Sequence, residues 1–152
     1  MLRRCMSVWI PVGIVTVFMA IAPAGAGAQT RAGVQGGVSL DPDQVYFGGH
    51  LETAPLIDRL RFRHNVDIGL GDDLTTLAFN FEFTYAFTEG RPWNIYAGAG
   101  PAINWVDTDR GSDTDGGFNI ILGAKNREGL FFEMKVGFDS PDLKFGVGYT
   151  FR

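Results

Sequence analysis

The sequence predicts an all-β chain, an eight-stranded antiparallel up-and-down barrel, on three observations. Beyond Arg31, apolar and polar residues alternate with period two in eight successive segments; turn residues separate the segments; and no stretch carries a helical period. An even number of consecutive hairpins can close on itself and leave no unpaired edge.

The front of the chain has a different composition. "MLRR" is basic, residues 7–22 are apolar and uncharged, and Ala26-Gly27-Ala28 supplies a small-x-small site before Gln29. That order is the order of a secretory signal peptide, so residues 1–28 are expected to be cleaved and 29–152 to form the barrel domain. Removing residues 1–28 of 152 leaves 124, enough for one domain. Arg3 and Arg4 leave with them and no acid does, which moves the net charge from −4 to −6. An acidic balance argues against nucleic acid as a partner. The single cysteine, Cys5, lies in the same segment, so the exported chain is expected to have no disulfide.

The segments follow in order. Residues 31–40 put Ala32, Val34, Val38 and Leu40 on one face, and Asp41-Pro42-Asp43 turns the chain. Residues 44–52 give Val45, Phe47 and Leu51, followed by a connection at 53–58. Residues 59–70 set Leu60, Phe62, Val66, Ile68 and Leu70 against Arg59, Arg61, Arg63, Asn65 and Asp67, with a turn at 71–73. The strongest alternation is at 74–87, where Leu77, Phe79, Phe81, Phe83, Tyr85 and Phe87 oppose Thr76, Asn80, Glu82 and Thr84. A turn at 88–92 leads to 93–105, and the polar 106–117 reads as a long connection. Residues 118–125, a turn at 126–129, residues 130–139 and a turn at 140–142 lead to the last segment. There Leu143, Phe145, Val147, Tyr149 and Phe151 alternate with Lys144, Gly146, Gly148, Thr150 and Arg152. Two residues fit poorly. His64 has apolar parity in mid-strand, which predicts either a position near an interface or a bulge. Pro101 cannot donate to a ladder, which predicts a bulge or kink in "GAGPA".

Alternation alone fits two objects, a membrane barrel with its apolar face outward and a soluble lipocalin-like binding barrel with that face inward. The lumen of eight strands is just wide enough for ordinary side chains, and six large residues on 74–87 alone would overfill it. Glycines concentrate on the polar face, at Gly33, Gly37, Gly48, Gly69, Gly98, Gly100, Gly123, Gly137, Gly146 and Gly148, where long charged side chains would need small neighbours. Trp93 and Trp105 share apolar parity twelve residues apart; with a tilt near 40° that spans roughly 30 Å, close to an apolar band of about 25 Å edged by aromatics. The expectation is therefore a transmembrane barrel with a girdle of Trp93, Trp105, Tyr85 and Tyr149.

The leader, the eight alternating segments and the closing "FGVGYTF" with Phe145, Tyr149 and Phe151 resemble the small outer-membrane β-barrels of Gram-negative bacteria, the outer membrane protein A and X type. The resemblance implies an outer-membrane location and both termini in the periplasm. It also implies a terminal aromatic strand (Phe145, Tyr149, Phe151) read by the barrel assembly machinery after escort by periplasmic chaperones. Arg152 follows Phe151, so the aromatic is penultimate. The implied partners are outer-membrane lipid and that machinery, and the implied state is a monomer.

Inward parity collects Glu52, Arg59, Arg61, Arg63, Asp67, Glu82, Lys125, Glu133, Lys135, Asp139 and Lys144. Such a set predicts a closed polar core of paired charges, because an unpaired buried charge is costly. The alternative is a narrow, porin-like passive channel for small or hydrophobic solutes. Asp107, Asp109, Asp113 and Asp115 lack the order of a calcium loop, so they read as a solvated acidic loop and no metal is expected. Only His50 and His64 could serve as a general base, and neither "HLE" nor "HNV" places a nucleophile nearby. No enzyme and no cofactor are expected.

Overall fold

A computed structural model of the chain describes residues 30–138 and 143–152; the segment expected to be a signal peptide, residues 1–28, and Asp139 lie outside them. The strands are β1 (Arg31–Ser39), β2 (Gln44–Glu52), β3 (Leu60–Leu70), β4 (Leu74–Ala86), β5 (Trp93–Thr108), β6 (Gly111–Asn126), β7 (Leu130–Phe138) and β8 (Leu143–Thr150). Each pairs antiparallel with its sequence neighbours, and β8 pairs with β1, from Gly33 opposite Thr150 to Ser39 opposite Lys144, so the sheet closes into a barrel. Thr30 and Arg152 lie at one end, called here the terminal rim; the turns after β1, β3 and β5 form the distal rim.

The ladders also fix the tilt. Stepping across them from Ala124 through Phe132, Val147, Gly36, Phe47, Ile68, Leu77 and Trp105 returns to β6 at Thr114, ten residues away. An offset of that size on eight strands tilts them by about 40°. Side chains then separate by parity. Phe47, Phe83, Ile95, Ile103, Phe118, Ile120, Leu122, Phe132, Phe145 and Val147 are exposed on the outside, while Gln35, His50, Glu52, Arg63, Asn65, Asp67, Asn80, Glu82, Asn104, Asn119, Glu133, Lys135 and Lys144 are buried within. The chain is turned inside out relative to a water-soluble domain, and the soluble lipocalin-like alternative, which needs the apolar face inside, has the opposite arrangement.

Two local expectations are corrected, and of the two alternatives for His64 one is removed. Residues 106–117 are mostly strand: β5 and β6 continue as a hairpin to Thr108 opposite Gly111, around Asp109 and Arg110. Among the described residues β7 follows β6 as far as Phe118 opposite Phe138, and Gly111–Gly116 are exposed, so no buried face imprints an apolar pattern on this stretch. Pro101 makes neither bulge nor register shift, since β4–β5 pairing keeps one register on both sides of it and Pro101 stands opposite Phe118 in the β5–β6 ladder. His64 likewise lies in an unbroken ladder, opposite Leu51 and Phe81, with no bulge. It keeps its outward parity, and its ring lies 6.0 Å from that of Phe62.

Candidate functional site

The lumen is built by the registers. Arg63 on β3 stands opposite Glu82 on β4, and Glu133 and Lys135 share the inner face of β7. These four meet at the centre. Arg63 Nη2 donates to Glu82 Oε2 at 2.8 Å and to Glu133 Oε2 at 2.6 Å, and its Nε donates to Glu82 Oε2 at 3.1 Å. Lys135 Nζ donates to Glu82 Oε1 at 2.8 Å and lies 3.3 Å from Glu133 Oε1. Two cations face two carboxylates, and each carboxylate touches both cations. Asn65 Nδ2 donates to Glu82 Oε2 at 3.0 Å, and the Tyr96 hydroxyl donates to Glu133 Oε2 at 2.6 Å. Glu82 has no exposed surface and Arg63 is 2% exposed, so their hydrogen bonds replace water almost completely.

Towards the distal rim the filling is mostly side-chain amides, with Asp67 and Lys144 the charges among them. Asn119 Nδ2 donates to Asn80 Oδ1 at 2.8 Å, and Asn80 Nδ2 donates to Asn65 Oδ1 at 2.5 Å and Asp67 Oδ2 at 3.2 Å. Gln35 Nε2 donates to Asp67 Oδ1 at 2.6 Å. The Lys144 ammonium sits 5.3 Å from the centre of the Tyr46 ring, a cation–π contact. Towards the terminal rim, His50 and Phe131 pack edge to face at 5.3 Å, and His50 Nε2 is 3.0 Å from Thr150 Oγ1. This pair resembles a base beside a hydroxyl, but His50 Nδ1 is buried with no hydrogen-bond partner among the described residues, so no third group completes a triad.

Beyond that plug the lumen opens into a vestibule of about 510 Å³. Glu52 holds Lys125 Nζ at 3.0 Å and lies 3.8 Å from Arg61 Nη1. Arg59, expected inside, is partly exposed, 3.7 Å from Glu89 and donating to the Phe87 carbonyl at 3.1 Å; it belongs to this mouth and not to the central network. The distal rim carries a smaller hollow of about 250 Å³ lined by Asp72, Asp73, Asp107 and Asp109. Among the described residues no three His, Cys, Asp or Glu side chains converge to hold a metal ion.

The parity rule thus locates Arg63, Glu82, Glu133 and Lys135 in one cluster, Asp67 and Lys144 above it, and Glu52, Arg61 and Lys125 below it. It passes over the rings that fill the lumen. Tyr46 and Tyr96 have polar parity between apolar neighbours, and of Phe131 and Phe132 one must face inward; those aromatics out of phase were the available signal. Outside, Tyr85, Trp93 and Tyr149 gather at the terminal rim, where ring pairs Tyr85–Phe87 and Tyr149–Phe151 both stand at 5.6 Å and Trp93–Phe132 at 5.8 Å. Trp105 lies towards the distal rim opposite Leu77, at the other end of β5 from Trp93. Phe145, Tyr149 and Phe151 are all exposed.

Two solved structures share this architecture. The N-terminal β-barrel domain of Pseudomonas aeruginosa OprF superposes with a TM-score of 0.62 at 18% identity, over 80% of this chain and 96% of that one. Neisserial surface protein A (NspA) superposes with a TM-score of 0.57 at 15% identity, with the same coverage of 80% and 96%. Neither a family model nor a curated protein matches the sequence. The chain therefore shares the eight-stranded barrel fold of these proteins, at identities where the fold alone is common property.

Proposed function

We propose that the chain is an integral outer-membrane β-barrel protein, exported by its leader and assembled as a monomer by the barrel machinery with periplasmic chaperones. Its role is structural or in surface interaction, and its lumen is closed by charge pairs. The observation that carries this reading is the reversed distribution of side chains: a belt of exposed Phe, Ile, Leu and Val surrounds a core of paired Arg, Lys and Glu. A closed sheet with that belt is the form of sheet that can span lipid. The non-enzymatic part rests on His50, whose Nδ1 has no acidic partner, and on the pairing of the central carboxylates with cations. Fractionation tests the location: the chain is expected in the outer-membrane fraction, released by detergent and with heat-modifiable migration. Release by osmotic shock alone overturns it. Leu122 is half exposed on β6, and Leu122→Arg is expected to cost about 2–4 kcal/mol of stability in lipid.

A second reading, a narrow passive channel, is favoured by one feature. Glu82 and Glu133 each already contact both Arg63 and Lys135, so the pairs can exchange without leaving a charge alone. Conductance in planar bilayers separates the two. A closed core predicts no reproducible steps, and steady channels would overturn it.

A further inference from the structure

Charge is distributed unequally along the lumen. In the centre it is matched, Arg63 and Lys135 against Glu82 and Glu133. In the terminal vestibule it is not. Arg31, Arg59, Arg61, Lys125, Arg127 and Arg152 line the cavity, and the carboxylates among its walls are Glu52 and Glu89. Glu52 is shared between Lys125 and Arg61. Glu89 faces Arg59 at 3.7 Å with more than half its side chain exposed, a weak, solvated pair. Arg127 donates to the backbone carbonyls of Gly90 and Arg91, contacts that fix the guanidinium without neutralising it. The excess is therefore positive, and it sits in a concave space with low-dielectric walls, which concentrates the field.

Backbone carbonyls hold Arg59, Arg61 and Arg127 in place but leave this excess unbalanced. Each added cation repels the others, and a lone vestibule would be more stable with fewer of them. The cavity, about 510 Å³, is within the size range of small-ligand sites. Guanidinium groups present planar donor pairs suited to tetrahedral oxyanions, and a lysine adds a point charge. The opposite end has the opposite character, with four aspartates around its hollow.

We propose that the terminal vestibule binds a phosphate-bearing anion, with Arg61 and Lys125, both pinned by Glu52, as the inner contacts and Arg31 and Arg152 as the outer ones. Two sources carry this chemistry, a soluble phosphate ester and the headgroup of an anionic phospholipid in the surrounding leaflet. The site needs only the vestibule walls, so it stands independently of whether the lumen conducts.

The test uses the folded chain in neutral detergent at low ionic strength, with inorganic pyrophosphate as the probe in calorimetric titration. Saturable one-to-one binding is expected, weakened by added salt. The Arg61→Gln/Lys125→Gln double variant is expected to weaken it about tenfold or more. Arg31→Gln/Arg152→Gln, at exposed positions with no part in packing, is expected to weaken it severalfold and covers the case in which the inner variant fails to fold. Arg110→Gln at the distal rim is expected to leave it unchanged. Nanodiscs distinguish the sources: weaker pyrophosphate binding in phosphatidylglycerol than in phosphatidylcholine assigns the site to a headgroup, and equal binding assigns it to a soluble ester. Absence of saturable binding, or binding indifferent to both vestibule variants, overturns the proposal.

Discussion

Arg61 and Arg63 lie two residues apart on β3, point into the same lumen and occupy different surroundings. Arg63 is almost wholly buried, within 3 Å of two carboxylates and 5.8 Å from the Phe131 ring centre. Arg61 keeps a quarter of its side chain exposed and approaches one carboxylate at 3.8 Å. Two positions along the strand thus separate a cation whose loss strands its partners away from water from one whose loss leaves its partner, the buried Glu52, still held by Lys125. Chemically identical residues on one face therefore sit in different surroundings: the inner charges fill the lumen in matched pairs, and the outer ones line an open mouth with an excess of positive charge.

The largest expected effect tests the inner half. Glu82→Ala leaves Arg63 and Lys135 short of a partner in a buried site, and should cost about 3–5 kcal/mol in urea unfolding followed by tryptophan fluorescence. Next comes packing. A methyl group on Gly100 would meet the carbonyl oxygen of Phe81, whereas one on Gly116 in the distal hairpin meets nothing. Gly100→Ala should cost about 1–3 kcal/mol and Gly116→Ala no more than about 0.5 kcal/mol by the same assay. Among the charge substitutions the smallest effect belongs to the vestibule, where Arg61→Gln leaves Glu52 still held by Lys125 and should change stability by at most about 1 kcal/mol. If Arg61→Gln proves as damaging as Glu82→Ala, the distinction between the two halves of the lumen fails.

Strand bounds were legible because one face of nearly every strand meets a greasy exterior and the other a polar interior. Residues 44–52 and the start of every strand from 74, 93, 130 and 143 can be read directly from that contrast. Where the contrast vanishes, so does the signal. Residues 111–117 form strand through pairing with β5 while contributing nothing apolar, and their Asp, Ser, Thr and Gly composition imitates a loop. Inward parity likewise finds the charges of the site without their partners. That Arg63 meets Glu133, seventy residues away, follows from the barrel's stagger, and no local pattern encodes it. Arg59 shows the converse limit: its parity is inward, but it lies just before β3, where the wall no longer encloses it.

The closing ladder between β1 and β8 has one further consequence. Seven of the eight ladders join neighbouring strands, while this one joins Gly33 to Thr150 at the two ends of the described chain. Tying such distant points together in a free chain carries a chain-entropy penalty of about 4 kcal/mol. The meander avoids most of it, because each hairpin curves the growing sheet and brings its free edges nearer. The barrel thereby confines its long-range order to a single seam, a topology whose search problem is almost entirely local until the moment it becomes a ring.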